Sequence, residues 1–166
     1  MEETLHALVA GSRHFMDYEF IKTTLNYILP IAYHDPNNFE ELVDKRSGIN
    51  ASNVSIELVS GGAPGVDTLT ERYADEMGFS KKIFLADWGK YGKSAGFRRN
   101  AKMHEYLKQF EKRICICFWN RHGKGTAHNF GLSKRSNTPL IVYDVNTRER
   151  INPNDIKAER REINWG

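Results

Sequence analysis

The stretch Val54-Ser-Ile-Glu-Leu-Val-Ser-Gly-Gly-Ala-Pro-Gly-Val-Asp-Thr-Leu-Thr-Glu-Arg-Tyr-Ala-Asp-Glu-Met77 changes its hydrophobic period half-way. Val54 to Val59 is an apolar run of strand length, whereas Val66 to Met77 carries apolar residues at helical spacing. Between them Gly61, Gly62 and Gly65 permit a tight turn. A strand that turns directly into a helix is the unit from which parallel sheets are built, because parallel neighbours need a long crossover.

The unit recurs along the chain. Strand-length runs stand at Leu5 to Ala10, Lys82 to Ala86, Ile114 to Phe118 and Leu140 to Tyr143, and helix-length segments at Tyr18 to Ala32, Arg98 to Phe110 and Thr126 to Lys134. Most of the strand runs are too continuous to leave one face in water, which predicts burial on both. The fold class expected is α/β: an open, doubly wound parallel sheet of about five strands with helices on both faces. One domain covers residues 1–146, with a small insertion over 33–53 that carries a short helix at Phe39 to Lys45. The charged C-terminal tail, 147–166, carries Ile151, Ile156, Ile163 and Trp165, which either dock on the body or a neighbouring subunit or fray into solvent.

Composition is that of one globular core: 166 residues, 40% hydrophobic and 27% charged. The net charge of +3 is scattered rather than gathered in a tract, which suits an anionic small ligand and argues against nucleic acid. Cys115 and Cys117 would share one face of a strand with Cα atoms ~6.7 Å apart, at the outer limit for a disulfide. Reduced thiols fit a cytoplasmic protein. No metal is expected, since no second Cys/His pair stands at zinc spacing. The acidic N-terminus is unlike a secretory signal, and no apolar run is long enough to span a membrane.

In open parallel sheets the ligand crevice lies beyond the carboxyl ends of the strands, and here four strands run into small polar or glycine-rich loops. They are Gly11-Ser12-Arg13, Ser60 to Asp67, Asp87 to Gly96, and Trp119 to Thr126. The second loop, with Gly61, Gly62, Ala63, Gly65 and Val66, opens a helix whose exposed N–H groups would attract an anion; it also reads as a plain strand-to-helix connection. It is neither a Walker A loop nor a dinucleotide G-x-G-x-x-G motif. Asp67 is placed to cap that helix or to accept hydrogen bonds from a ribose. Arg98 and Arg99 are expected to begin the third helix, where a cation is disfavoured unless an anion lies between. Gly123, Lys124, Gly125 and Thr126 open the fourth helix and are candidates for a second phosphate. Trp88, Tyr91 and Trp119 are placed to stack on a base or to cover the core. Of six histidines only His14 and His122 fall near this crevice. Asp87 and Asp67 are the candidate catalytic carboxylates.

Taken in series, Gly11-Ser12-Arg13, Gly61 to Asp67, Ala86-Asp87-Trp88, Tyr91-Gly92, Ala95-Gly96 and Arg99-Asn100 resemble the YspA-like branch of the SLOG (Smf/DprA–LOG) superfamily, from about residue 5 to about residue 143. The resemblance implies a Rossmann-like fold and a nucleotide-derived ligand, with Gly96 and Asn100 added to the candidate ligand-binding residues. Phe97 stands where that family usually has proline. Asn129 stands where the LOG hydrolases carry a catalytic glutamate, so their mechanism is not carried over.

The leading expectation is a binder of an ADP-ribose-type or cyclic nucleotide signal without a cofactor. It would act as a sensor or, since 166 residues leave little room for an effector, as a stand-alone sequestering protein such as a phage-encoded anti-defence factor in the host cytoplasm. A homo-oligomer is expected. The alternatives are a hydrolase of an N-glycosidic or phosphate bond in a nucleotide, and DprA-like binding of single-stranded DNA.

Overall fold

The computed structural model of the chain describes residues 3–41, 54–152 and 155–156. Strands β1 (Leu5–Gly11), β2 (Ile56–Ser60), β3 (Ser80–Ile83), β4 (Arg113–Trp119) and β5 (Leu140–Asp144) form one parallel sheet in the order β3-β2-β1-β4-β5. Helices α1 (Tyr18–His34), α2 (Val66–Met77), α3 (Ala95–Leu107) and α4 (Lys124–Arg135) make the four crossovers. The chain is therefore a Rossmann-like α/β fold.

Alternation along each strand divides the interior in two. Leu5, Ala7 and Val9 of β1 join Ile114, Ile116 and Phe118 of β4 under α1 and α2. Leu8, Ala10, Cys115, Cys117 and Trp119 point the other way, onto Met103 and Leu107 of α3 and Ala127 and Phe130 of α4. β1 and β4 are buried on both faces because a helix layer covers each. Cys115 and Cys117 are free, fully buried and side by side, with sulfurs 3.8 Å apart.

Three boundaries depart from the sequence-based expectation. β3 starts at Ser80 and ends at Ile83, whereas the apolar run suggested Lys82 to Ala86. Its partner β2 turns away after Ser60, so beyond the bond from the Phe84 N–H to the Ser60 carbonyl the ladder has nothing to pair with. Leu85 is consequently 77% exposed. α3 starts at Ala95 rather than Arg98, because a one-turn helix at Trp88–Tyr91 and a 3-10 turn at Gly92–Ser94 lead straight into it. α4 starts at Lys124, which places Gly125 and Thr126 inside its first turn.

In the 33–53 segment α1 continues to His34 and a 3-10 turn follows at Pro36–Asn38. Phe39 is buried in the α1 and α2 core. The backbone is helical over residues 39–41, and the remainder of the expected Phe39 to Lys45 helix lies outside the described residues. In the tail, Ile151 and Ile156 dock on the body's own core beside α3 and α4, and Arg150 bridges to Tyr143 of β5. Ile163 and Trp165 lie outside the described residues.

Ile151 and Ile156 are each about 95% buried, so these two side chains are part of the fold's apolar interior. Ile156→Ala is expected to lose roughly 2 kcal/mol or more, as for other buried Ile truncations. Urea unfolding measures it, and an unchanged midpoint would show that this segment contributes nothing to the core.

Candidate functional site

The crossovers reverse direction between β1 and β4, the position at which loops from neighbouring strands part and leave a crevice. A cavity of about 390 Å³ lies there, within the range of small-molecule sites. The loop after β1 supplies Gly11, Ser12, Arg13 and His14, and the turn into α2 supplies Ala63 and Asp67. Trp88, Lys93, Gly96, Phe97, Arg99, Asn100 and Met103 come from α3 and its approach. The loop after β4 and the start of α4 add Asn120, Gly123, Lys124, Gly125, Thr126 and Asn129, and Ala10 of β1 lies in the floor.

The turn into α2 does not offer the anion cradle expected of it. The Gly62 N–H donates to Ser60 Oγ at 3.2 Å, the Ala63 N–H to Asp67 Oδ2 at 3.1 Å, and the Val66 N–H to the Ser12 carbonyl at 3.1 Å. Gly61, Gly62, Gly65 and Val66 lie outside the cavity lining. These residues pin the β1 loop to the start of α2.

α4 differs. Its cap residue Gly123 has no side chain to accept from the first turn, whose N–H groups also lack intrahelical acceptors. Lys124, Gly125 and Thr126 line the cavity there. Asn120 shapes the approach, its Oδ1 accepting from the N–H groups of His122 and Gly123 at 2.9 and 2.8 Å. The positive end of the α4 dipole thus opens on the crevice, which Lys124 also lines.

Arg99 sits in the second turn of α3, so the reasoning that put it at the helix start fails. Its guanidinium is nonetheless fixed in the crevice. Nη1 donates to the Gly61 carbonyl and Nε donates to Asn100 Oδ1 at 2.9 Å. Asn100 in turn donates from Nδ2 to the Gly125 carbonyl at 3.1 Å, linking α3 to α4. Arg98 points away, its Nε on Ser94 Oγ and its guanidinium over the Tyr91 ring, and neither Arg98 nor Tyr91 lines the cavity.

Among the described residues Asp67 is the one carboxylate in the lining. It does not cap α2, whose cap position is Gly65 and which has no side-chain cap. It is 5% exposed, Oδ2 holds the Ala63 N–H, and Oδ1 is buried without a partner. Burial pushes its pKa up to about 6, against the opposing pull of the Ala63 N–H and the Arg99 charge. Asp87 is exposed, accepts from the Lys90 N–H at 3.0 Å and lies outside the lining.

The aromatic candidates divide similarly. Trp88 lines the cavity at 48% exposure, with the Arg13 guanidinium 5.8 Å from its ring. Trp119 is fully buried, donates from Nε1 to the Gly123 carbonyl and meets Phe130 edge-on, so it belongs to the core. Phe97 lines the cavity and packs edge-on against His128.

Sequence reasoning missed Lys93, Met103, Ala10, Asn120 and Asn129 as lining. Asn120 had a readable signal, an Asn opening a polar loop two residues before His-Gly. Asn129 is a structural pivot, donating to the Gly125 and Thr126 carbonyls and bonded through Oδ1 to His104 Nε2 at 2.9 Å. Among the described residues no group of three His, Cys, Asp or Glu side chains is arranged to hold a metal, and no helix is long and apolar enough to cross a membrane. No protein-family model, curated protein or solved structure matches the chain.

Proposed function

We propose that the crevice binds a phosphate-bearing nucleotide- or NAD-derived small molecule, with its phosphate at the start of α4. The observation that carries this reading is the uncapped first turn of α4 opening into a cavity at the switch point of the sheet, with Lys124, Arg13 and Lys93 in the lining. Trp88 offers a half-exposed ring at the same crevice for a base. The resemblance to the SLOG superfamily narrows the ligand to an ADP-ribose-type or cyclic nucleotide signal, and the role to sensing or sequestration in the cytoplasm. The chain would act there as a homo-oligomer, phage-encoded if the role is anti-defence.

Calorimetry against ADP-ribose, its cyclic isomers, and cyclic di- and oligonucleotides tests the reading. Lys124→Ala is expected to weaken binding by about 1–3 kcal/mol, the range for charge-assisted bonds, and to leave the melting temperature of the free protein nearly unchanged. Heat evolved by none of these ligands near millimolar concentration would refute it.

One observation favours a hydrolase as the second reading: a carboxylate with a pKa of about 6 lining the cavity is suited to general-base work. Incubation with NAD, nucleoside monophosphates and cyclic nucleotides, followed by chromatography, separates the two. Turnover abolished by Asp67→Asn would establish the enzyme.

A further inference from the structure

We infer that Asp67 and Arg99 together read a sugar hydroxyl of the ligand, so that the crevice selects ribose over deoxyribose forms; this rests on the crevice being the nucleotide site. Two residues of opposite charge line the same cavity, each with one side-chain atom unused. Asp67 Oδ1 is buried and has no donor, while Oδ2 is held by the Ala63 N–H. Arg99 spends Nη1 on the Gly61 carbonyl and Nε on Asn100, which fixes the plane of the guanidinium and leaves Nη2 without an acceptor among the described residues. Gly61 keeps room for that plane, since a Cβ there would lie 2.6 Å from Nη1.

The two side chains feel each other's charge without forming an ion pair. A ligand group that satisfies both must accept from Nη2 and donate to Oδ1. A phosphate oxygen only accepts, and the carboxylate repels it. An ammonium only donates, and the guanidinium repels it. A hydroxyl does both. In a nucleotide derivative the hydroxyls are on the sugar.

The phosphate is then bound elsewhere, and the α4 start is adjacent. Asn100 accepts from Arg99 and donates to the Gly125 carbonyl, so a single side chain separates the hydroxyl-reading pair from the helix turn that holds the anion. One sugar phosphate spans that separation. At neutral pH Asp67 is mostly ionised and therefore an acceptor, as the pairing requires.

The test compares adenosine monophosphate, its 2′-deoxy, 3′-deoxy and dideoxy forms, and ADP-ribose on the full chain at neutral pH, by calorimetry or competition. The wild type should bind the dideoxy form about 10- to 100-fold more weakly than adenosine monophosphate, the loss of a hydrogen bond to charged groups. The two single-deoxy forms identify which hydroxyl is read. In Asp67→Asn, whose amide keeps an acceptor for Ala63, the ratio should fall to about 3-fold or less. Should that variant fail to fold, the wild-type ratio decides alone. Equal affinity for the ribo and dideoxy forms would overturn this inference and leave the nucleotide reading standing. Absence of binding by every probe near ~10 mM would overturn both.

Discussion

Asp67→Asn is expected to melt higher than the wild type at pH 8, although it alters a buried polar residue in the candidate site. The carboxyl has a folded-state pKa of about 6, raised by burial above an ordinary value of 3.8. Below pH ~4 it is protonated in both the folded and unfolded chain and contributes nothing that depends on pH. Between about 4 and 6 the folded chain binds a proton that the unfolded chain does not, so stability falls as pH rises through this window. Above pH ~6 the whole cost of a buried charge is present, of the order of 2–3 kcal/mol at 1.36 kcal/mol per pKa unit. The asparagine carries no charge and still accepts from Ala63, although its amide nitrogen meets the same partnerless environment and returns part of the gain. A net rise of about 1–2 kcal/mol is expected, which moves Tm by roughly 2–8 °C in a domain of this size. The difference should close as the pH is lowered to ~4. Thermal melts of both proteins across pH 4 to 8 measure it, and a variant that melts lower than the wild type at every pH would show that Asp67 is a structural anchor. A residue that destabilises the fold at neutral pH is the signature expected of a functional one.

Gly65→Ala is expected to be far more damaging, costing about 4 kcal/mol or more and lowering Tm by about 10 °C or more. Gly65 has φ 79° and ψ −128°, a region closed to residues with a side chain. A Cβ there would also lie 2.2 Å from the Ser12 carbonyl oxygen and 2.5 Å from the Arg13 carbonyl carbon. Neither neighbour can yield cheaply, because both are backbone and the same Ser12 oxygen accepts the Val66 N–H. The β1 loop would have to lift, and Ser12 and Arg13 would leave the crevice wall with it. Gly125→Ala is the control: its added methyl meets nothing within 4 Å, and a helical alanine gains about 0.5–1 kcal/mol over glycine. Scanning calorimetry of the pair separates the two effects. Equal melting temperatures would mean that the junction between the β1 loop and α2 is softer than its geometry.

The sheet and its crossovers were legible because β1 and β4 are buried on both faces, and burial on both faces writes a continuous apolar run into the sequence. β3 was misplaced because it lies at the edge with four exposed residues, and Phe84 and Leu85, the most apolar part of its run, lie just past the end of the ladder. The crevice was legible as a set of loops, since topology alone brings the ends of β1, β2 and β4 together. What a linear pattern could not show is how each N–H is spent. Gly61 to Val66 and Gly123 to Thr126 look alike in sequence, yet the N–H groups of Gly62, Ala63 and Val66 are satisfied internally, whereas beyond Gly123, held by Asn120, the first turn of α4 has no capping side chain and lines the cavity. Likewise Arg99 and Arg98 are neighbours in sequence with similar chemistry, and the helical turn sends one into the crevice and the other over Tyr91.

β3 also has a consequence for the life of this protein in concentrated solution. It closes one side of the sheet with Ser80-Lys81-Lys82-Ile83, and its far side carries no neighbouring strand among the described residues. Such an edge is a template for a second chain. Here the template is short and lysine-bearing, with Lys81 held to Asp75 and Lys82 lying over the rings of Phe84 and Tyr106. Two copies meeting edge to edge would bring four ammonium groups together along a contact only four residues long. The same two lysines that obscured the strand's hydrophobic pattern therefore act as its guard against fibrous assembly.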